Sequence, residues 1–237
     1  MGRSKDRGYC VAIMGAGGKT SLLFRMGVEL SKRYSRVLLT SLTRSEYPAG
    51  LHTVLALETA NLDLPLLFQT ANPLFLMGYR EGPAKLAGIS VAELDAVRSQ
   101  ADVCLFECDG ARGRSLKAHI DSDPHVPPFA THVIIVVGAD VANTSPAQGH
   151  IHRPEVFQSL WGIDERTVLD AGFIAQVVTS PHGYGSKLPE DTERIYYVNK
   201  VDTHPREAEQ IATAIRDLSG ARTYTGSLQA GICYRIE

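Results

Sequence analysis

With 237 residues and 44% hydrophobic content, the chain can bury one sizeable core, and a single domain is the expectation for all of residues 1–237. The 24 lysines and arginines against 26 acidic residues give a formal net charge of −2 with no long basic run, which argues against a nucleic-acid footprint. No apolar stretch reaches the roughly 18 residues of a membrane span, and the start of the chain carries no signal-type apolar core. Four cysteines (Cys10, Cys104, Cys108 and Cys233) are too few for a disulfide framework at this length, so the expected compartment is the cytoplasm.

In chain order, the first apolar run, Tyr9–Met14, reads as a strand. It leads into Gly15-Ala16-Gly17-Gly18-Lys19-Thr20-Ser21 and then an amphipathic run, Ser21–Tyr34, with Leu22, Leu23, Met26 and Leu30 on one stripe. Strand, glycine turn, Lys-Thr and helix is the grammar of a phosphate loop. Backbone N–H groups and the helix N-terminus face the phosphates, the lysine reaches the terminal ones, and the threonine hydroxyl sits on magnesium. The usual G-x-x-x-x-G-K-T/S pattern would need glycine at position 13, where Ile13 stands. The loop is two residues shorter, as in Mur-type peptide ligases. A dinucleotide-binding loop fits less well: Thr20 occupies its third glycine position, and no acid ends the next strand, Arg36–Ser41.

Further apolar runs at Val37–Thr40, Leu74–Met77, Val103–Phe106, Val133–Val137, Phe173–Val178 and Ile195–Val198 read as strands, several nearly continuous, as expected for strands covered on both faces. Helical patterns fall at Val91–Gln100 and at Pro205–Leu218, where Ala208, Ile211, Ile215 and Leu218 form a stripe that Gly220 stops. The alternation predicts an α/β fold: a mostly parallel sheet with helices on both faces, in the three-layer architecture of P-loop NTPases. Residues 47–67 and 138–154 resist the pattern and read as loop insertions. Residues 121–128 and 180–189 read as loops, and Trp161 as a core residue.

Phosphate-loop enzymes need a carboxylate at a neighbouring strand end. Val103–Phe106 runs into Glu107-Cys108-Asp109-Gly110, and on an extended chain Glu107 and Asp109 point to one face. Asp109 is the first candidate for the magnesium shell, and Cys108 puts a thiol between the two acids. Behind them Arg112, Arg114 and Lys117 suit a segment that senses phosphates or an anionic substrate. Ile195–Val198 ends in Asn199-Lys200-Val201-Asp202, the N-K-x-D tetrad that reads guanine in GTPases. Asp202 would accept from the base, Asn199 would bond its edge and steady the site, and Lys200 would pack on the ring; a simple capping loop before the Pro205 helix is the competing reading. Lastly, His150-Ile151-His152-Arg153-Pro154-Glu155 offers two histidines and a glutamate. They suit a metal only if the segment is extended, and otherwise a polar substrate-facing loop.

Taken in order, Gly15–Thr20, Glu107–Ala118, His152-Arg153-Pro154-Glu155 and Asn199–Asp202 make the chain resemble the YqeC-like proteins, from about residue 9 to 203. The run Glu107–Ala118 is the most specific part. The resemblance implies a P-loop NTPase-like accessory protein for a selenium-dependent molybdenum hydroxylase, with that hydroxylase or its cofactor as partner. The expectation is a Mg2+-dependent NTPase, GTP preferred over ATP. In it Lys19 neutralises phosphate charge, Thr20 and Asp109 organise Mg2+, and Glu107 orients water. Two alternatives remain open: a kinase or ligase passing phosphate to a small anionic substrate, and a non-hydrolysing, nucleotide-switched chaperone or cofactor carrier.

Overall fold

The computed structural model describes residues 8–57, 62–121, 123 and 126–237. The first half of the chain forms β1 (Tyr9–Gly15), α1 (Lys19–Ser31), β2 (Val37–Ser41), β3 (Ser45–Glu46), β4 (His52–Leu55), α2 (Leu64–Leu67), β5 (Leu74–Met77), β6 (Lys85–Leu86), α3 (Val91–Arg98), β7 (Val103–Glu107) and β8 (Leu116–Lys117). The second half forms β9 (His132–Gly138), β10 (Ile151–His152), α4 (Pro154–Trp161), α5 (Ala171–Thr179), β11 (Glu193–Asn199), α6 (Pro205–Ser219), β12 (Arg222–Ser227) and β13 (Ile232–Arg235). Nine of the strands belong to a large, mostly parallel sheet, so the α/β class stands as expected.

The chain divides into two compact units and passes between them more than once. The first unit comprises residues up to Ile13, Thr20–Cys108 and Pro127–His132. Its strands run in the order β1-β7-β2-β5-β4, all parallel, with Val11 opposite Leu105 and Leu39 opposite both Leu105 and Phe75. Every residue of β2, β5 and β7 is buried, which is why their sequences read as unbroken apolar runs rather than alternations. β4 lies inside the segment expected to be an inserted loop. α3 starts at a capping box: Ser90 accepts the Glu93 N–H while the Glu93 carboxylate accepts the Ser90 N–H.

The second unit comprises Met14–Lys19, Asp109–Val126 and Val133–Glu237. Its strands are ordered β13-β12-β11-β9, with β12 parallel to β11 and antiparallel to β13. β8 and β10 form a separate parallel pair, Leu116 opposite Ile151 and Lys117 opposite His152. Residues 173–178, expected as a strand, are helical. Asp170 caps α5 by accepting the Phe173 N–H at 2.7 Å, and Ile174, Ala175, Val177 and Val178 are buried at helical spacing. An unbroken apolar run is ambiguous in period, and the cap decides it. α6 buries Ala208, Ile211, Ala212 and Ile215 and stops at Gly220, whereas Leu218, expected on the stripe, is 56% exposed. All four cysteines are free, and only Cys233 is exposed. Among the described residues no helix is long and apolar enough to cross a membrane.

Candidate functional site

The glycine loop can adopt its path because three of its residues take positive φ: Gly15 at 97°, Gly17 at 84° and Gly18 at 131°. Space forbids a side chain as well. A Cβ on Gly17 would fall 2.3 Å from the Gly138 nitrogen, and one on Gly18 would fall 2.4 Å from the Asn199 amide nitrogen. The loop is then tied down by partners from four places. Gly15 N–H donates to the Asp109 carboxylate at 3.1 and 3.2 Å, Ala16 N–H to Val136 O at 2.9 Å, and Gly17 N–H to Arg114 O at 2.8 Å. The Asn199 side chain donates to Gly17 O at 2.7 Å and accepts from Leu228 N–H.

These bonds limit where an anion fits. The first three loop amides already have acceptors, so a phosphate is left with Gly18 and the first turn of α1, whose amides have no acceptor inside a helix. Lys19 is 6% exposed and folded back, donating to Gly15 O at 2.8 Å and lying 3.4 Å from Asp109. It must swing away from both to reach a phosphate.

Asp109 is the hub of the site. It is 1% exposed and receives the Gly15 N–H, Lys19 at 3.4 Å, Lys117 at 3.1 Å and His119 Nε2 at 2.8 Å. Burial alone would push its carboxyl up, but Lys19, His119 and Lys117 outweigh that and hold it well below the usual carboxylate range. With donors on both oxygens, Asp109 orders the cations around it. Lys117 is fully buried and also pairs with Asp123 at 3.4 Å; Asp123 in turn takes both terminal nitrogens of Arg153, at 2.6 and 3.0 Å. Lys19, Asp109, Lys117, Asp123 and Arg153 thus form a row of alternating charges running from the loop to the start of α4.

The other expected site residues spread out. Of the three cations behind the acids, only Lys117 joins the network. Arg114 is exposed and donates to Gly149 O, while Arg112 is exposed at φ 47°. Lys200 binds Asp140 at 2.7 Å and Ser115 Oγ at 2.8 Å, and Asp202 is exposed. His152 is partly buried. Desolvation, then the neighbouring Arg153 and Lys117, push its imidazole down to about 4. His150 lies 3.4 Å from Asp140, and Glu155 is exposed on α4; among the described residues no group of three or more His, Cys, Asp or Glu is placed to hold a metal. Thr20, Ser21 and Glu107 belong to the first unit, where Thr20 is half-buried, Ser21 exposed and Glu107 6% exposed at the end of β7; Cys108, beside it, is buried.

Sequence reasoning missed His119, Asp123, Asp140 and Ser115. A signal for the first lay in the chain: beyond β8 the alternation Lys117, His119 continues the two-residue period that brings both to Asp109.

The α/β protein thus joins a glycine-locked turn between a buried strand and a helix with a retracted lysine and a strand-end aspartate. The YqeC protein family model matches residues 11–155, more than half of the chain, and the chain belongs to that family. A relative from Escherichia coli (strain K12), the uncharacterized protein YqeC, is 28% identical over 205 residues, covering 83% of this chain and 78% of that protein.

Proposed function

We propose that the protein binds a nucleoside triphosphate on the loop Gly15–Thr20 and hydrolyses it, GTP ahead of ATP, as an accessory factor in maturing a selenium-dependent molybdenum hydroxylase. The observation that carries the nucleotide reading is the loop itself: glycines at positive φ, a lysine buried against Asp109, and Asn199 reaching across to Gly17 O. The triphosphate displaces Lys19 from Gly15 O and Asp109, and the lysine then neutralises the terminal phosphates; Asp109 keeps Lys117 and His119 in place. The hydroxyl of Thr20 and the phosphates hold Mg2+, which keeps most of its water. Glu107 orients the attacking water. Asp202, exposed at the end of the N-K-x-D segment, supports guanine as the base. The hydroxylase partner rests on kinship with YqeC-like proteins, and free cysteines suit the cytoplasm.

Lys19→Ala tests the core of this reading. A ligand that binds only the folded state raises the thermal midpoint, so Mg2+ with GTP or ATP should stabilise the wild type and leave the variant unmoved. A Lys19→Ala protein that bound and turned over nucleotide normally would overturn the assignment. Strict dependence of phosphate release on a small acceptor would favour the kinase or ligase reading, and tight binding without turnover the switched carrier.

A further inference from the structure

The second unit holds a cavity of about 420 Å³ that the reading above leaves unused. Its size falls within the range of small-molecule sites. Lys117, His119, Trp161, His182, Tyr184 and Lys187 stand on its wall. One of them carries a buried polar atom with no hydrogen-bond partner among the described residues, and another brings a cation to the wall. Lys187 is 6% exposed, yet its ammonium makes no ion pair or hydrogen bond among the described residues. A cation held largely out of bulk water favours an anion as its partner.

His119 supplies the second group. Its Nε2 sits 2.8 Å from Asp109, a carboxylate that stays ionised, so that nitrogen is assigned the proton and Nδ1 is left as an acceptor. Nδ1 is buried and has no hydrogen-bond partner, and desolvation favours the neutral ring. Tyr184 adds a donor. Its hydroxyl oxygen accepts the Lys117 N–H at 3.0 Å, and its own O–H has no acceptor among the described residues. The one acid on the wall, Asp121, is exposed and screened by water. A largely buried cation, a hydroxyl donor and an imidazole acceptor beside Trp161 select for charge and for hydrogen bonding together.

We infer that this cavity binds a small organic anion, a carboxylate or phosphate on a compact body that also carries an O–H or N–H group. Lys187 takes the anionic oxygen, Tyr184 donates to it, and His119 Nδ1 accepts from the ligand's O–H or N–H. Lys117 and His119 both touch Asp109, so this wall of the cavity is anchored on the carboxylate that also holds the loop. The site stands whether or not the loop binds a nucleotide.

Trp161 is the one tryptophan in the sequence, so its fluorescence reports on this cavity directly. The full chain is titrated without nucleotide, using glycerol 3-phosphate and lactate as the phosphate and carboxylate probes and glycerol as the uncharged control. Saturable change with either anion and none with glycerol is expected, and the responding probe tells which oxyanion the site prefers. Lys187→Gln should weaken that binding about tenfold or more, and Lys187→Arg should restore most of it. Tyr184→Phe, which keeps the buried ring, should weaken binding severalfold even if the Lys187 variants fold poorly. No saturable response to either anion, an equal response to glycerol, or an unchanged affinity in Lys187→Gln would overturn the inference. A failure of nucleotide binding alone would leave it intact.

Discussion

Replacing Asp109 with Asn keeps the size of the side chain and removes the negative charge on which Lys19, Lys117 and His119 converge. Removing one partner of a buried ion pair typically costs about 3–5 kcal/mol, because the other charge is left uncompensated. Here the cost is softened: Lys117 keeps Asp123 at 3.4 Å and Lys19 keeps the Gly15 carbonyl at 2.8 Å. An expected loss of roughly 2–4 kcal/mol follows. At about 2–4 °C per kcal/mol for a chain of this length, that lowers the midpoint by roughly 5–15 °C. Trp161 fluorescence on heating at pH 7 measures it within the unit that contains Asp109. The carboxyl is held below its unfolded value, so its contribution is complete above that value, near pH 4, and fades as pH falls through the lower folded one. The gap between wild type and Asp109→Asn should therefore close under acid conditions. A variant within about 2 °C of wild type at pH 7 would refute the account of Asp109 as the hub.

His152 should give a different acid signature. Its imidazole is depressed from 6.5 to about 4, so the unfolded chain takes up the proton first and stability falls between those pH values. The full shift would correspond to about 3 kcal/mol, reduced to roughly 1 kcal/mol because the ring is still partly in water. His152→Gln should flatten denaturant midpoints between pH 6.5 and 4, and an unchanged pH profile would exclude His152 as the source. Asp202→Asn should lower GTP affinity at least about tenfold and raise XTP affinity in equilibrium titrations. If neither moved, the guanine reading would fail.

The strands of the first unit were legible because burial on both faces leaves a continuous apolar run, as in Val37–Ser41 and Leu74–Met77. The same property misled at 173–178, where a buried helix also reads as unbroken apolar sequence and only the Asp170 cap separates the two. At the site, Gly15, Lys19 and Asp109 stand out because glycine, lysine and a strand-end acid are rare in that order. The pairing of Asp123 with Arg153 was not legible, since the partners lie thirty residues apart and meet only once β8 pairs with β10. Nor was the burial of Lys117. A lysine in a run of cations reads as solvated until its carboxylates are in place.

The row from Lys19 to Arg153 has an odd number of members with a cation at each end, so it carries one positive charge in excess. When Lys19 leaves for an anionic ligand, Asp109, Lys117, Asp123 and Arg153 remain as two acids and two bases. What stays behind is neutral. The loop can therefore surrender its lysine without stranding an unbalanced charge in the interior, and the lysine that departs is the surplus one.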